Sequence, residues 1–283
     1  MKRRSRPFSL GSVPRQTTRA VVLARGLGTR MRASDEAATL DAEQERAASA
    51  GLKAMIPVGR PFLDYLLSAL VDAGLEEVCL VIGPEHSEVR ERYGKGDTRA
   101  RVSFAIQEEP RGTADALLAA ESFTAGESFV VLNSDNYYPV AVLAKLAALG
   151  EPGLPAFGRK ALLADGAIAP ERIAGYALLD IAPDGYLQRI VEKPDARTLA
   201  EFGEDAYVSM NCWRFSSAIF PTCRTVEPSA RGELEIPLAV QHAMDSYGAR
   251  FLTFPVHASV LDLSRRGDVA EVKKRLSAIE PEP

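Results

Sequence analysis

Short apolar runs recur along the first half of the chain without polar residues in alternation. They cover Ala20–Ala24, Val78–Ile82 and Phe129–Leu132, and such runs are typical of strands buried on both faces of a sheet. Between the first two, apolar residues recur at helical spacing from Phe62 to Val71, directly after Pro61, which predicts an amphipathic helix. This alternation predicts an α/β fold, with helices on both faces of a mixed, mostly parallel central sheet.

Beyond Gly150 the pattern changes to shorter strand-like segments with glycine and aspartate turns. The turn Pro183-Asp184-Gly185 predicts a hairpin, because proline fixes φ and glycine allows a left-handed step. We divide a single domain, residues 20–283, into halves at residues 20–150 and 151–283. The patterns also predict helices Glu85–Tyr93, Val140–Leu149, Ser229–Tyr247 and Val269–Ile279, and strands Arg101–Gln107, Ala156–Arg159, Gly175–Ile181, Tyr186–Val191, Tyr207–Phe215, Phe251–Val256 and Ser259–Leu261.

A glycine-rich loop follows the first strand. Gly26 and Gly28 allow successive backbone N–H groups to close around a phosphate, and Arg25, Arg30 and Arg32 add positive charge. The loop lacks the third glycine of the dinucleotide fingerprint and the Gly-Lys-Ser/Thr of the P-loop. By itself it indicates either a phosphate-binding loop or a plain turn between strand and helix.

Polar residues stand where two predicted strands end. Asp135 closely follows the most hydrophobic strand, and ligands of open α/β sheets collect at such strand ends, so we expect Asp135 to hold a hard cation. The alternative is that it caps the turn toward Pro139. Gln107 ends another strand and Gly112 precedes a helix; a side-chain amide beside bare backbone can recognise the edge of a nucleotide base.

Residues 34–50 are rich in alanine and charged residues without a strong apolar stripe. We interpret them as an exposed helix inserted between the glycine-rich loop and Lys53. The segment is either a lid over the site or a solvated helix with no role.

Composition narrows the class of protein. The 283 residues include 34 basic and 38 acidic ones, a balance that gives no reason to expect nucleic acid as a partner. Residues 1–19 are an exception and predict a disordered basic arm. We find neither a signal-peptide core nor a run of about 18 apolar residues, which predicts a cytoplasmic protein with no membrane partner. The few cysteines and histidines show no zinc-ligand spacing.

The glycine-rich loop resembles the L-A-x-G-x-G-T-R-L signature of the sugar-1-phosphate nucleotidylyltransferases. Glucose-1-phosphate thymidylyltransferases and uridylyltransferases are the nearest comparison, followed by mannose-1-phosphate guanylyltransferases. The resemblance implies a Rossmann-like three-layer α/β/α fold of the nucleotide-diphospho-sugar transferase type. It also rests on motifs that follow in the family's order: the Lys53 segment, Q-x-x-x-x-G-T-A-D-A from Gln107, Asp135, Gly175, E-K-P from Glu192, Asn211, S-A-R-G-E-L-E-I from Ser229 and L-D from Leu261.

The resemblance also implies a role for each matching residue. Arg30, Lys53, Asp135 and Lys193 are the expected catalytic groups, and Mg²⁺ is the expected cofactor. The nucleotide is expected to contact Ala24, Gly26, Gly28, Thr29, Arg30, Gln107, Gly112 and Thr113; the sugar phosphate to contact Gly175, Glu192, Lys193, Asn211 and Arg231; and the metal to be held by Asp135 and Asp262.

The implied reaction joins a nucleoside triphosphate to a sugar 1-phosphate and releases pyrophosphate by direct in-line displacement. UTP or dTTP with glucose 1-phosphate is the expected pair, although Gln107 suits uracil, thymine or guanine depending on which way its amide faces. Both substrates are small molecules, and a homo-oligomer is possible. Two alternatives stay open: a nucleotide-sugar-dependent glycosyltransferase, and a non-catalytic nucleotide-sugar-binding regulatory subunit of the same fold.

Overall fold

The computed structural model describes residues 16–35 and 38–283. Most of the predicted basic arm, residues 1–15, lies outside this part of the chain. Within the described residues, the last part of the predicted arm lies against the domain. The Arg19 guanidinium donates to the carbonyl oxygens of Phe123 and Thr124, at 2.8 and 2.7 Å, and Thr17 is buried.

The strands are short, as expected where turns are frequent. In chain order they are β1 Arg19–Leu23, β2 Glu77–Ile82, β3 Arg101–Ile106, β4 Phe129–Asn133, β5 Asn136–Tyr137, β6 Gly153–Gly158, β7 Leu178–Ile181, β8 Leu187–Val191, β9 Tyr207–Val208, β10 Cys212–Phe215, β11 Leu252–Val256 and β12 Leu261–Asp262.

Helices separate most of these strands, and a 3₁₀ helix covers Lys53–Met55. The α-helices are α1 Thr29–Arg32, α2 Ala42–Ala50, α3 Phe62–Asp72, α4 Ser87–Tyr93, α5 Thr113–Ala119, α6 Glu121–Thr124, α7 Val140–Ala147, α8 Arg159–Asp165, α9 Pro170–Ile173, α10 Ala196–Phe202, α11 Ile219–Thr225, α12 Ile236–Tyr247 and α13 Asp268–Leu276.

One mixed sheet runs through the described part of the chain. Its strands lie in the order β3-β2-β1-β4-β10-β6-β9-β7-β8, with β11 beside β6, and β5 pairs with β12 in a small separate sheet. Strands β3, β2, β1 and β4 are parallel, whereas β10 lies antiparallel between β4 and β6. The parallel ladders are the longest, which confirms a mixed, mostly parallel sheet. The predicted hairpin is also present, since β7 and β8 pair antiparallel.

Apolar clusters cover both faces of this sheet. Residues of α3 and α7 pack on one face, and residues of α5, α11 and α12 pack on the other, so the predicted three-layer arrangement is confirmed. Strand β4 is buried along its apolar residues because it lies between β1 and β10. No helix among the described residues is both long and apolar enough to cross a membrane.

Two predicted elements differ from the structure. The single strand Tyr207–Phe215 is two strands, since Asn211 has a positive φ of 54° and breaks the extended backbone between β9 and β10. The helix predicted from Ser229 begins only at Ile236, after Glu235 as its N-cap. Residues 229–235 form a loop instead, and that loop lines the functional site. Short helices α8 to α11 had no sequence prediction.

The inserted segment contains the predicted helix, which is exposed along most of its length and packs on the domain through three buried residues, Gln44, Ala47 and Ala48. Helix α2 begins at Asp41, which forms a capping box with Gln44, and it buries Ala47 and Ala48 in a third apolar cluster with α1, β12 and α13. Alanine's small side chain gave only a weak apolar stripe, yet it allows the close packing seen here. The role of the segment, as a lid or as a solvated helix, stays a prediction.

Candidate functional site

A cavity of about 550 Å³ opens at the ends of β1, β3 and β4. It collects residues from segments far apart in sequence. Every site residue predicted from the sequence lines it: Ala24, Gly26, Gly28, Thr29, Arg30, Lys53, Gln107, Gly112, Thr113, Asp135, Gly175, Glu192, Lys193, Asn211, Arg231 and Asp262.

The two loop glycines face different surroundings. Gly28 has a positive φ of 61°, and a Cβ there would lie 2.5 Å from the carbonyl oxygen of Gly51. The end of α2 therefore packs directly on the loop backbone, and only glycine fits that approach. A Cβ on Gly26 would meet no atom within 4 Å, so its missing side chain leaves open space toward the cavity.

The arginines near the loop do not act alike. Arg30 is exposed at the cavity, in a position where an anionic ligand can reach it. Arg25 instead donates from Nε to the carbonyl oxygen of Gln107 at 2.6 Å, and Arg32 donates to the carbonyl oxygen of Ala50 at 2.8 Å. These two side chains join the glycine-rich loop to the strand β3 exit and to α2, so they fix its shape.

Lys53 and Asp135 form an ion pair inside the cavity. The Lys53 Nζ lies 2.8 Å from Asp135 Oδ2, and each side chain is 19% exposed. The 3₁₀ helix carries Lys53 and the turn between β4 and β5 carries Asp135. The sequence predicted both residues separately, and the fold makes them partners.

A short antiparallel ladder brings Asp262 beside Asp135. Strand β12 pairs Asp262 with Asn136, and the Leu263 N–H donates to the Asp135 carbonyl oxygen at 2.8 Å. The ladder therefore places the backbones of these two residues next to each other, and both residues line the cavity. Asp262 also accepts hydrogen bonds from the Tyr176 hydroxyl, at 2.7 Å, and from Ser264.

Arg172 is a buried residue of the site that the sequence analysis missed. Its guanidinium forms ion pairs with both Asp262 and Asp268. Burial opposes the charge, but the two carboxylates outweigh it and the pKa of Arg172 lies above its ordinary value. Burial, reinforced by the charge of Asp262, likewise raises the pKa of the Tyr176 hydroxyl. A lone arginine in a loop-like stretch gave no sequence signal, because its partners lie some 90 or more positions away.

The donor set around Asp135 fits Mg²⁺ when substrate oxygens complete it. Mg²⁺ in nucleotide sites is commonly held by one or two carboxylates together with phosphate oxygens and water. Asp135 Oδ1 accepts no hydrogen bond from the described residues, whereas Asp262 is already shared with Arg172 and Tyr176. Among the described residues, no three histidine, cysteine or acidic side chains gather as a self-sufficient metal site.

The side chain of Gln107 lines the cavity and is fixed by hydrogen bonds to Gly112 and Asp115. It is 4% exposed, and its Nε2 donates to the Gly112 carbonyl oxygen at 3.1 Å and to Asp115 Oδ2 at 2.8 Å. Asp115 is the aspartate of the motif that begins at Gln107, and the sequence analysis gave it no role. Thr113 also has a structural contact, because its Oγ1 accepts from the Ile236 N–H at the start of α12 at 2.9 Å.

The opposite wall carries two strained residues. Lys193 and Asn211 have positive φ angles of 44° and 54°. This backbone conformation is unfavourable for residues other than glycine, and residues that adopt it are found most often at functional sites. Beside them, burial and then the charge of Glu235 raise the pKa of Glu192. Arg231 pairs with Glu235 at 2.9 Å, so its charge is already balanced within the wall.

The comparisons with known proteins identify the family of the chain. Residues 48–254 match the nucleotidyl transferase family. The chain is 27% identical over 93% of its length to a glucose-1-phosphate thymidylyltransferase from Streptomyces antibioticus, of which it covers 67%. It is 28% identical over 91% of its length to a UTP–glucose-1-phosphate uridylyltransferase, AglF, from Haloferax volcanii, of which it covers 96%. Several other relatives are longer, and the chain spans 43 to 64% of their length.

The fold has a solved counterpart as well. A crystal structure of UDP-glucose pyrophosphorylase complexed with UDP-glucose superposes with a TM-score of 0.70, at 17% identity, over 93% of this chain and 99% of that one. This likeness shows a fold of the nucleotide-diphospho-sugar transferase type. The chain belongs to the nucleotidyl transferase family, alongside sugar-1-phosphate nucleotidyltransferases, as the sequence motifs predicted.

Proposed function

We propose that the protein condenses a nucleoside triphosphate with a sugar 1-phosphate to give a nucleotide-sugar and pyrophosphate. UTP or dTTP and glucose 1-phosphate are the proposed substrates, in line with the names of the relatives. The observation that carries this proposal is that one cavity gathers the glycine-rich loop, the Lys53–Asp135 pair and the Glu192–Asn211 wall.

The triphosphate is assigned to the glycine-rich loop side. Open space at Gly26 allows a phosphate to approach the backbone of Ala24, Gly28 and Thr29 closely. Arg30, exposed at the cavity, stabilises the negative charge that develops on the departing pyrophosphate. Gln107, Gly112 and Thr113 line the same cavity, and we assign the nucleotide base to them.

The sugar phosphate is assigned to the opposite wall. Gly175, Glu192 and Asn211 face the sugar hydroxyls, and Lys193 pairs with the phosphate that attacks. Arg231 is a weaker candidate for phosphate contact, since Glu235 and Glu233 already balance its charge. The strain at Lys193 and Asn211 supports a functional reason for their positions.

The reaction needs no covalent intermediate with the protein. A phosphate oxygen of the sugar 1-phosphate attacks the α-phosphorus of the nucleotide, and the bond to pyrophosphate breaks. Lys53 neutralises nucleotide phosphate charge once it is released from Asp135, and preorganised charges of this kind lower the barrier. Asp135 would hold Mg²⁺, with Asp262 as a second ligand if it is released from Arg172 and Tyr176, and the metal would supply charge neutralisation at the phosphates.

Pyrophosphate release tests the proposal. The protein is incubated with Mg²⁺ and each of the five common nucleoside triphosphates against a panel of hexose 1-phosphates. We expect release with UTP or dTTP and glucose 1-phosphate that requires both substrates and stops with EDTA. Transfer of a sugar from a nucleotide-sugar, without release, would point to the glycosyltransferase alternative.

The absence of pyrophosphate release with every substrate pair would support a different function. If the folded protein binds the same nucleotides in a thermal-shift assay but releases no pyrophosphate, the regulatory-subunit alternative replaces this proposal. The cytoplasmic location and a homo-oligomeric assembly stay predictions; size-exclusion chromatography with light scattering measures the latter.

A further inference from the structure

The Gln107 amide can face only one way in this structure. Its Nε2 donates to two acceptors, the Gly112 carbonyl oxygen at 3.1 Å and Asp115 Oδ2 at 2.8 Å. If the amide were rotated by half a turn, its oxygen would face the Asp115 carboxylate and the Gly112 carbonyl oxygen. All three atoms are acceptors, so no hydrogen bond could form between them. The orientation therefore follows from Asp115, whose side chain is only 11% exposed.

This orientation leaves the other amide atom at the cavity. No described residue donates to Gln107 Oε1, while Gln107 lines the cavity. Both hydrogens of Nε2 are already used, so the group offered to a base is a hydrogen-bond acceptor alone. A base opposite it must supply an N–H.

Nucleotide bases differ at the central ring nitrogen of their pairing edge. Uracil, thymine and guanine carry a hydrogen there, whereas cytosine and adenine present a lone pair. If Gln107 Oε1 is a fixed acceptor, it can accept a hydrogen bond from uracil, thymine or guanine. With cytosine or adenine it faces a second acceptor, and no hydrogen bond forms. A buried pair of acceptors without a shared hydrogen costs binding free energy, and this cost discriminates strongly between substrates.

We infer that Asp115 is a specificity-determining positioning residue, which fixes Gln107 as an acceptor and so selects nucleotides with a protonated central ring nitrogen. This inference rests on the proposed function, in that Gln107 faces the base. Asp115 acts through Gln107, because it does not line the cavity itself. Its second partner, Arg111, binds the other carboxylate oxygen at 2.8 Å and is largely exposed.

Equilibrium binding is the test, because it does not depend on turnover. Dissociation constants of UTP and CTP are measured by calorimetry with Mg²⁺ for the full chain and for D115A. In D115A only the 3.1 Å hydrogen bond to the Gly112 carbonyl oxygen still favours this orientation of the amide, so the preference for UTP over CTP should fall by about tenfold, the scale of one hydrogen bond to a charged group. D115S, whose side chain is too short to reach Nε2, replaces D115A should the latter not fold.

Two controls separate this role from a structural one. D115E keeps a carboxylate, which can only accept, for Gln107 Nε2 and should retain more of the preference than D115A, whereas a general loss of packing would not be rescued by it. R111Q removes the exposed ion pair on the same carboxylate and should also leave the preference unchanged.

The outcomes distinguish this inference from the proposed function. An unchanged UTP-to-CTP ratio in D115A, or an equal loss for both nucleotides, overturns the role of Asp115 even if the wild-type protein releases pyrophosphate. Folded wild-type protein that binds no triphosphate overturns the proposed function and this inference with it.

Discussion

Lys53 Nζ and Asp135 Oδ2 lie 2.8 Å apart in the cavity, although 82 positions separate the two residues in sequence. Each side chain is 19% exposed, so the pair is partly shielded from water and the charges interact more strongly than on the surface. In the proposed reaction, a bound nucleotide would offer phosphate oxygens to Lys53, and Asp135 would then be free to bind a cation.

Loss of either charge should affect turnover far more than stability. We expect Lys53→Ala to lower turnover by about 10² to 10³, the cost of removing one preorganised charge, and Asp135→Ala to abolish measurable activity with the fold intact. Pyrophosphate release and circular dichroism provide the two measurements. Lys274→Ala is the matched control, because that lysine is 80% exposed. Near wild-type turnover in Asp135→Ala would contradict the assignment of Asp135 as a Mg²⁺ ligand.

Arg172→Gln should destabilise the protein strongly. Arg172 and Asp262 are 7% and 8% exposed, and removal of one partner from a buried ion pair typically costs about 3 to 5 kcal/mol. Urea unfolding followed by circular dichroism measures the free energy of unfolding. Arg224→Gln breaks an ion pair whose side chains are 49% and 42% exposed and should cost about 1 kcal/mol or less. Similar losses in the two variants would contradict a central role for Arg172.

The two loop glycines should respond differently to alanine. Gly28→Ala combines a positive φ with a clash against the Gly51 backbone, and we expect it to lower the free energy of unfolding by about 1 to 3 kcal/mol. Gly26→Ala meets open space and should change stability by less than about 0.5 kcal/mol. Nucleotide binding by the stable Gly26→Ala protein then reports on phosphate approach; unweakened binding would argue against that contact.

Glu192 should make sugar-phosphate binding depend on pH. Burial and the neighbouring Glu235 raise the pKa of Glu192, so it takes up a proton at a higher pH than an ordinary carboxyl group. Protonation removes part of its capacity to accept from sugar hydroxyls. The KM for the sugar 1-phosphate should therefore rise as pH falls through that pKa, with the nucleotide KM unchanged. A Glu192→Gln protein should lack this inflection.

The same raised pKa predicts a stability effect with a defined sign. The folded state binds the Glu192 proton more tightly than the unfolded state, so its contribution to stability is present at low pH and is lost as pH rises through the folded pKa. At neutral pH, Glu192→Gln should accordingly raise the free energy of unfolding in urea while lowering activity. A variant that is less stable at neutral pH would show that the charge is favourable in the folded protein.

Arg266 should hold α2 against the domain. It donates to the Met31 carbonyl oxygen at 2.9 Å and to Ser49 Oγ at 3.3 Å, and it pairs with Glu45. We expect Arg266→Ala to lower the hydrogen-exchange protection of α2 amides by about tenfold, since charged hydrogen bonds are lost. Arg265→Ala, at an exposed neighbour, is the control. Unchanged protection in Arg266→Ala would mean that apolar packing alone docks α2.

Local patterns in the sequence determined much of the fold and the membership of the site. Unbroken apolar runs identified β1, β2 and β4, because strands buried on both faces need no polar alternation. Gly28, Gln107 and Asp135 were found from their types and their places at strand ends. Those signals are short-range, so they survive in a single sequence.

Tertiary structure alone decided which residues meet. The ion pair of Arg172 with Asp262, the hydrogen bond from Gln107 to Asp115 and the packing of Gly28 on Gly51 fix the chemistry that the cavity offers. None is signalled by local sequence pattern, because each depends on how separate elements pack in space. The sequence by itself determined the kinds of groups present, and the packing of helices and strands determined their partners, orientation and charge balance.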